Sequence, residues 1–294
     1  MPSSPRRNLA AGPRILVGSP LRRTGQMPTP NPKAHQPHQS GFKLRDWVKT
    51  NFALRALVIG GALLCGLALK APIAIAGQQP EASNPNLTVA WHYGANPPLE
   101  TLRIFDIVVV EPGHKLDPTV HRAKTAGHSE LFAYVSIGEL DPGRSYENRM
   151  PAEMLAGRNE TWNSQIIDQS HPDWPRFFAD EVIAPLWQEG YRGFFLDTMD
   201  SYHLIGKTPA RLTEMKQGLL RTIRMMRKRF PTAKLITNRG FEVLDQMQSI
   251  FQQDLVAVAA ESLFGRWDHA NKQYLPVPPE DRKWLTENFQ NAQN

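Results

Sequence analysis

Six short apolar runs alternate with helical patterns along residues 87–294. The runs cover residues 87–93, 105–110, 131–137, 192–196, 233–237 and 255–260. Each run has the length of a strand, and strands that are apolar throughout are typical of a parallel sheet covered by helices. The pattern therefore predicts an α/β fold built from repeated strand–helix units.

Two of the intervening helices have recognisable ends. One begins at Asp173 and ends before Gly190, and the other begins at Thr208-Pro209 and ends before Pro231. In the second helix, apolar residues recur at spacings of three and four and form one face toward the core. Both helices lie between predicted strands, as a strand–helix repeat requires.

Polar and acidic residues follow the ends of six different runs, and this distribution favours a barrel. An open doubly wound sheet concentrates its ligand residues at one switch point, whereas a barrel draws them from many strands. The first strand is not followed by Gly-x-Gly-x-x-Gly or a phosphate loop. We therefore predict a (β/α)8 TIM-type barrel. Only six strands are visible where a closed barrel needs eight, so the barrel should be incomplete at its C-terminus.

The basic character of the chain belongs to its N-terminal region. Residues 1–76 contain 11 Lys and Arg and one acid, whereas residues 77–294 contain 23 Lys and Arg and 27 Asp and Glu. The domain itself is thus slightly acidic, which argues against nucleic acid as a partner. Cys65 is the single cysteine. An intrachain disulfide and a cysteine-based metal site are therefore excluded.

Three segments precede the barrel domain, which is assigned to residues 87–294. Residues 1–42 are rich in Pro, Ser, Arg, Gln and His and are predicted to be a disordered leader. Residues 43–76 combine a basic flank, an apolar run and a final Ala-Ile-Ala, the pattern of a signal peptide. Residues 77–86 form a polar linker.

The signal segment has two interpretations. Cleavage after Ala76 would release a periplasmic or extracellular protein. Residues 56–76 are also long enough to span a bilayer if they are retained, which would anchor the protein to the inner membrane. In either case we expect an exported protein whose membrane contact is confined to residues 56–76.

Four carboxylates follow the apolar runs directly: Glu111, Glu139, Asp197 and Glu261. A carboxylate beside a buried strand loses hydration unless it lies in a wet cleft or has a function. Two carboxylates that face each other across a cleft are the minimum equipment for glycoside hydrolysis. The acids could instead hold a divalent cation, but no His joins them at ligand spacing. No metal or other cofactor is predicted.

Six motifs near the predicted strands resemble, in their order, the motif set of glycoside hydrolase family 114. The motifs are Trp91–Gly94, Phe105–Glu111, Tyr134–Glu139, Gly193–Asp197, Thr237–Gly240 and Ala259–Ser262. The resemblance covers about residues 87–285. It implies an endo-α-1,4-polygalactosaminidase that hydrolyses galactosamine-containing polysaccharide. It also implies that Asp197 is the nucleophile or charge stabiliser and Glu261 the acid/base.

Further residues near the same strand ends are predicted to bind the amino-sugar polysaccharide. They are Tyr93, Glu111, Glu139, Asp200, Tyr202, Asn238 and Arg239. Aromatic rings offer an apolar platform to a sugar, and an acidic rim attracts a cationic galactosamine polymer. Asp200 could instead cap the loop after its strand, and Glu139 could bind Arg239 or backbone N–H groups. The alternative function is a noncatalytic polysaccharide-binding domain, degenerate or truncated.

Overall fold

A computed structural model describes residues 14–18, 87–114, 116–268, 271 and 273–293. The predicted signal or anchor segment 43–76 and the linker 77–86 lie outside these residues. Among the helices of the described part, none is long and apolar enough to cross a membrane.

A seven-stranded parallel sheet, a three-stranded antiparallel sheet and a two-stranded hairpin contain the described strands. In chain order the strands are β1 (Arg14–Gly18), β2 (Val89–His92), β3 (Ile107–Val110), β4 (Glu130–Ser136), β5 (Glu139–Leu140), β6 (Leu155–Asn159), β7 (Ser164–Ile167), β8 (Gly193–Asp197), β9 (Lys234–Asn238), β10 (Leu255–Glu261), β11 (Gly265–Asp268) and β12 (Gln273–Pro276). The parallel sheet has the order β1-β10-β9-β8-β4-β3-β2, the small sheet the order β5-β7-β6, and β11 pairs with β12.

All six predicted strands are present, as β2, β3, β4, β8, β9 and β10. They lie side by side in chain order and are parallel throughout, so the sheet has no switch point at which the order reverses. This succession is that of a (β/α) barrel rather than of a doubly wound sheet. The prediction of an incomplete (β/α)8-type barrel is confirmed.

The strand β1 lies within the range 1–42, for which the sequence predicts disorder. It pairs in parallel with β10, from Arg14 beside Ala257 to Gly18 beside Glu261. These five residues form an isolated Ile-Leu-Val run among polar residues, too short for periodicity to identify as a strand. Their extended structure depends on the backbone groups that β10 offers at its edge.

In the described ranges, seven α-helices connect or flank the strands. They are α1 (Leu99–Leu102), α2 (Pro118–Lys124), α3 (Trp174–Phe177), α4 (Ala184–Gln188), α5 (Pro209–Arg229), α6 (Leu244–Phe251) and α7 (Pro279–Gln293). A π-helical turn, Phe178–Ile183, joins α3 to α4. It precedes Pro185, which lacks the N–H that an α-helical turn would use.

Both predicted helices occur, the first as the α3–π–α4 segment. The second, α5, begins as expected, because the Thr208 side chain accepts a hydrogen bond from the backbone N–H of Arg211 at 3.2 Å. Its buried face includes Met215, Leu219 and Ile223, which confirms the predicted apolar stripe.

The sheet separates two buried clusters. In β3, Val108 and Val110 pack in the cluster that contains the buried helix side chains. Ile107 and Val109 pack in a second cluster on the opposite face of the sheet. Because successive side chains of a strand point to opposite faces, a strand that is apolar at every position serves both clusters. This burial positions the carboxyl ends of the strands, where the candidate residues lie.

Candidate active site

A cavity of about 490 Å³ lies at the carboxyl ends of the strands. This volume falls within the range of about 300–1,000 Å³ that is usual for small-molecule sites. Its lining residues are Tyr93, Tyr134, Glu139, Asn159, Thr161, Trp162, Asp197, Thr198, Asp200, Ser201, His203, Leu204, Asn238, Arg239, Glu261, Ser262 and Arg266. Seven of the nine predicted site residues are among them.

Hydrogen bonds from Thr198, Asn238 and Tyr134 are among those that hold the Asp197 carboxylate. Its Oδ1 accepts from the backbone N–H of Thr198 and from the side-chain amide of Asn238, each at 2.8 Å. Its Oδ2 accepts from the Tyr134 hydroxyl at 2.5 Å. Hydrogen bonds from several donors stabilise the ionised form of a carboxylate and fix its orientation. The Asp197 carboxylate therefore has a fixed orientation at the cavity wall.

The side-chain amide of Asn238 links Asp197 to Glu261. The nitrogen that donates to Asp197 also lies 3.4 Å from Oε1 of Glu261. Because one nitrogen bonds both oxygens, these two oxygens are at most about 6 Å apart. The three residues end the adjacent strands β8, β9 and β10. The two carboxylates that the sequence singles out thus face one cavity.

The residue after each of these three strand ends has a left-handed backbone. The φ angles of Thr198, Arg239 and Ser262 are 62°, 59° and 67°. A non-glycine residue in this region costs about 1–2 kcal/mol. At Thr198 the turn directs its own backbone N–H back to the Asp197 carboxylate, and the Thr198 hydroxyl accepts from the Gly138 N–H at 2.9 Å. The strained backbone therefore positions the acid.

Glu139 is buried, with 3% of its surface exposed. Its carboxylate accepts hydrogen bonds from Asn159 at 3.1 Å and from the hydroxyls of Ser164 and Ser201. The partners suggested by the sequence, Arg239 and backbone N–H groups, are therefore replaced by side chains of β6, β7 and the turn after β8. Although Glu139 borders the cavity, these bonds make it a connector between three segments.

Asp200 and Arg239 lie together on the cavity wall. A nitrogen of the Arg239 guanidinium is 3.4 Å from Oδ2 of Asp200, and both side chains are partly exposed. Tyr93 also borders the cavity, and its ring meets that of Tyr134 edge to face at 5.1 Å between centroids. All three can contact a ligand.

Glu111 and Tyr202 lie outside the cavity lining. Glu111 forms an ion pair with Arg144, and although burial lowers the pKa of Arg144, the Glu111 charge raises it overall. Tyr202 is buried and donates to Glu242 at 3.0 Å. Burial, with the nearby Glu242 charge, raises the pKa of the Tyr202 phenol well above its usual value. The predicted direct contacts of Glu111 and Tyr202 with substrate have no support in this geometry.

Ten lining residues are not among the predicted site residues, and three of them, Tyr134, Trp162 and Leu204, have large apolar side chains. Tyr134 lies inside an apolar run, where an aromatic residue is expected to be core. Trp162 lies on the turn between β6 and β7, a region without strand periodicity, and Leu204 follows the loop acids. Trp162 stands between two polar residues, Thr161 and Asn163, and an isolated tryptophan in a polar segment could have indicated a ligand-binding position.

The cavity carries more negative than positive charge. Glu139, Asp197, Asp200 and Glu261 line it, against two arginines, Arg239 and Arg266. In the described part of the chain, no group of three or more His, Cys, Asp or Glu side chains could hold a metal ion. The arrangement can position two carboxylates around a bond of a neutral or cationic ligand.

The chain is similar to known glycoside hydrolases. The family model described as glycoside-hydrolase family GH114 matches residues 72–273. The glycoside hydrolase domain of PelA from Pseudomonas aeruginosa is 36% identical, with a TM-score of 0.59 over 69% of this chain and 78% of that domain. A complex of Aspergillus fumigatus Ega3 with galactosamine is 14% identical, with a TM-score of 0.41 over 67% and 83%. Among curated proteins none matches the chain.

The family match covers more than half of the chain and contains the six predicted strands. The sequence motifs, the barrel-type succession of strands and the two carboxylates point to the same assignment. The chain belongs to glycoside hydrolase family GH114.

Proposed function

We propose that the protein is an exported endo-glycosidase that hydrolyses α-1,4-linked, galactosamine-containing polysaccharide with retention of configuration. The observation that carries the proposal is the pair Asp197 and Glu261, joined through one amide nitrogen at the wall of a ligand-sized cavity. Most glycosidases use a pair of carboxylates of this kind.

The short distance between the carboxylates supports retention. Inverting glycosidases keep their carboxyl groups about 6.5–9.5 Å apart to admit a water molecule, whereas retaining enzymes keep them about 5–5.5 Å apart. The shared nitrogen brings the nearer oxygens of Asp197 and Glu261 within about 6 Å of each other, and this closeness is the basis on which we propose retention. The second carboxylate is then the nucleophile.

Asp197 suits the role of nucleophile and Glu261 that of acid/base. The Asp197 carboxylate attacks the anomeric carbon while Glu261 gives its proton to the departing glycosidic oxygen, so that a glycosyl–Asp197 ester forms and the glycosidic bond breaks. Glu261 then takes a proton from water, whose oxygen displaces Asp197. The hydrogen bonds from Tyr134, Thr198 and Asn238 orient the Asp197 carboxylate before attack.

The charge of the cavity supports a cationic amino sugar as substrate. Four carboxylates against two arginines attract an ammonium group and favour its approach.

Release of reducing ends from a galactosamine-rich polymer tests the proposal. We expect Asp197→Asn and Glu261→Gln to lower the rate by a factor on the order of 10²–10⁴. Glu100→Gln, at an exposed position outside the cavity, is the matched control and should equal wild type. Equal activity in all variants would contradict the assignment of Asp197 and Glu261 as the catalytic residues. Tight polymer binding without release by wild type would favour the noncatalytic binding domain.

Export is tested separately. We propose that residues 43–76 direct export and that cleavage follows Ala76. The N-terminal sequence of the protein recovered from the periplasm or medium should then begin at Gly77. Recovery of the full-length chain from the cytoplasm would contradict export, and recovery from the membrane with residues 56–76 intact would indicate an anchor.

A further inference from the structure

The β6–β7 hairpin carries Trp162 at the wall of the cavity. Thr161 and Trp162 form the turn between the two strands, and both line the cavity with Asn159. The Trp162 indole is half-buried. A tryptophan in a polar ligand cavity offers the apolar surface on which the C–H face of a sugar ring packs.

Hydrogen bonds from Asn159 hold this turn in place. The side-chain oxygen Oδ1 of Asn159 accepts from the backbone N–H of Thr161 at 3.2 Å, and the side-chain nitrogen Nδ2 donates to the buried Glu139 at 3.1 Å. The Ser164 hydroxyl, on the other side of the turn, also donates to Glu139. Both ends of the segment that carries Trp162 are therefore fixed to one buried carboxylate.

The same carboxylate joins the hairpin to the turn Ser201–Leu204. The Ser201 hydroxyl donates to Glu139, and Leu204, at the end of that turn, lines the cavity with half of its surface exposed. The hairpin approaches this turn closely, since a Cβ on Gly157 would lie 2.7 Å from a methyl carbon of Ile205. Trp162 and Leu204 are therefore apolar surfaces on two connected segments of one wall.

On these grounds we propose that Trp162 and Leu204 form a sugar-binding subsite beside the candidate carboxylates. The proposal rests on the proposed function, and its ligand is the apolar face of a galactosamine ring adjacent to the scissile bond. Glu139 acts as a positioning residue that fixes both halves of the subsite and does not itself take the substrate. Because the wall is held before substrate arrives, little side-chain freedom is lost on binding.

Calorimetric titration with an α-1,4-linked galactosamine pentasaccharide tests the subsite, with Asp197→Asn as the parent to prevent turnover. In that parent, Trp162→Ala should weaken binding about tenfold, and Trp162→Phe, which keeps an aromatic face, only about twofold to threefold. The control is Trp284→Ala, at a half-exposed tryptophan on α7 outside the cavity lining. It should bind like the parent.

Leu204→Ser gives a second, independent measurement in case Trp162→Ala fails to fold. Half of the Leu204 surface is already exposed, so this substitution should leave the fold intact. We expect it to weaken binding about threefold. If the parent binds the pentasaccharide and both Trp162→Ala and Leu204→Ser bind equally well, the subsite is refuted while the proposed function stands. If neither the parent nor wild type binds or cleaves the sugar, the proposed substrate is wrong and the subsite fails with it.

Discussion

Replacing Asn238 with Asp changes one atom at the point where the two candidate carboxylates meet. The amide nitrogen of Asn238 lies 2.8 Å from Oδ1 of Asp197 and 3.4 Å from Oε1 of Glu261. Asn238→Asp keeps the shape of the side chain but exchanges this donor for an acceptor with a negative charge. The substitution therefore converts two attractive contacts into two repulsive ones.

The repulsion is large compared with the energy of protonation. Two unit charges about 4 Å apart in a partly solvated protein site repel by about 4 kcal/mol, and one pH unit corresponds to about 1.4 kcal/mol. The three carboxylates of Asn238→Asp should therefore bind one proton more at neutral pH than the wild-type pair, in which Glu261 carries the acid proton. A protonated carboxyl group is a poor nucleophile, so we expect the rate to fall by a factor on the order of 10²–10³.

Asn238→Ala provides the comparison. It removes the hydrogen bonds to Asp197 and Glu261 without adding charge, and one hydrogen bond to a charged group is worth about 1.5–3 kcal/mol. We expect a loss of about tenfold to a hundredfold, smaller than for Asn238→Asp, which loses the same hydrogen bonds and adds repulsion. The assay is release of reducing ends from a galactosamine polymer at pH 7, with circular dichroism as the check on folding. Near wild-type activity of Asn238→Asp, or higher activity than Asn238→Ala, would refute the reasoning.

Two further predictions concern the surroundings of the site. Burial raises the pKa of Asp168, but hydrogen bonds from Ser170 and Arg211 lower it overall. Asp168→Asn should therefore lower the free energy of unfolding by about 1.5–3 kcal/mol at pH 7 in urea titrations, and the difference should begin to shrink below about pH 4 and disappear only below the lowered pKa of Asp168; a difference that stays constant down to about pH 2 would contradict this. Gly138→Ala would place a Cβ 2.1 Å from the backbone oxygen of Thr198. The displaced turn should lower activity about tenfold or more, and unchanged activity would show that the turn does not position Asp197.

Much of the fold follows from local sequence, because a strand buried on both faces must be apolar at nearly every position. The six strands and the acids that end them were predictable for this reason. The β6–β7 hairpin was not, because in β6 Ala156, Gly157 and Arg158 are exposed and show no strand alternation. The hairpin forms through pairing with β5 and through the bonds of Glu139. Trp162 escaped prediction together with the hairpin that carries it.

Site residues that end strands were predictable from the sequence. Residues whose position depends on a partner far away in the chain were not. Asp197, Asn238 and Glu261 end adjacent parallel strands, so the topology alone brings them together. Tyr202 follows the same loop acids and resembles a sugar platform. Its hydroxyl instead finds Glu242, which is 40 residues away in the chain, and the ring is buried. No local pattern identifies such a partner.

Peptide mapping of a trapped glycosyl-enzyme tests the central claim most directly. In the retaining mechanism a slow substrate, such as a 5-fluoro galactosaminyl fluoride, should accumulate as an ester on the nucleophile. Mass spectrometry of the digested protein should then place one sugar on the peptide that contains Asp197, and Asp197→Asn should show none. An adduct on a different carboxylate, or turnover of the substrate with no adduct and inversion at the anomeric carbon, would contradict the account.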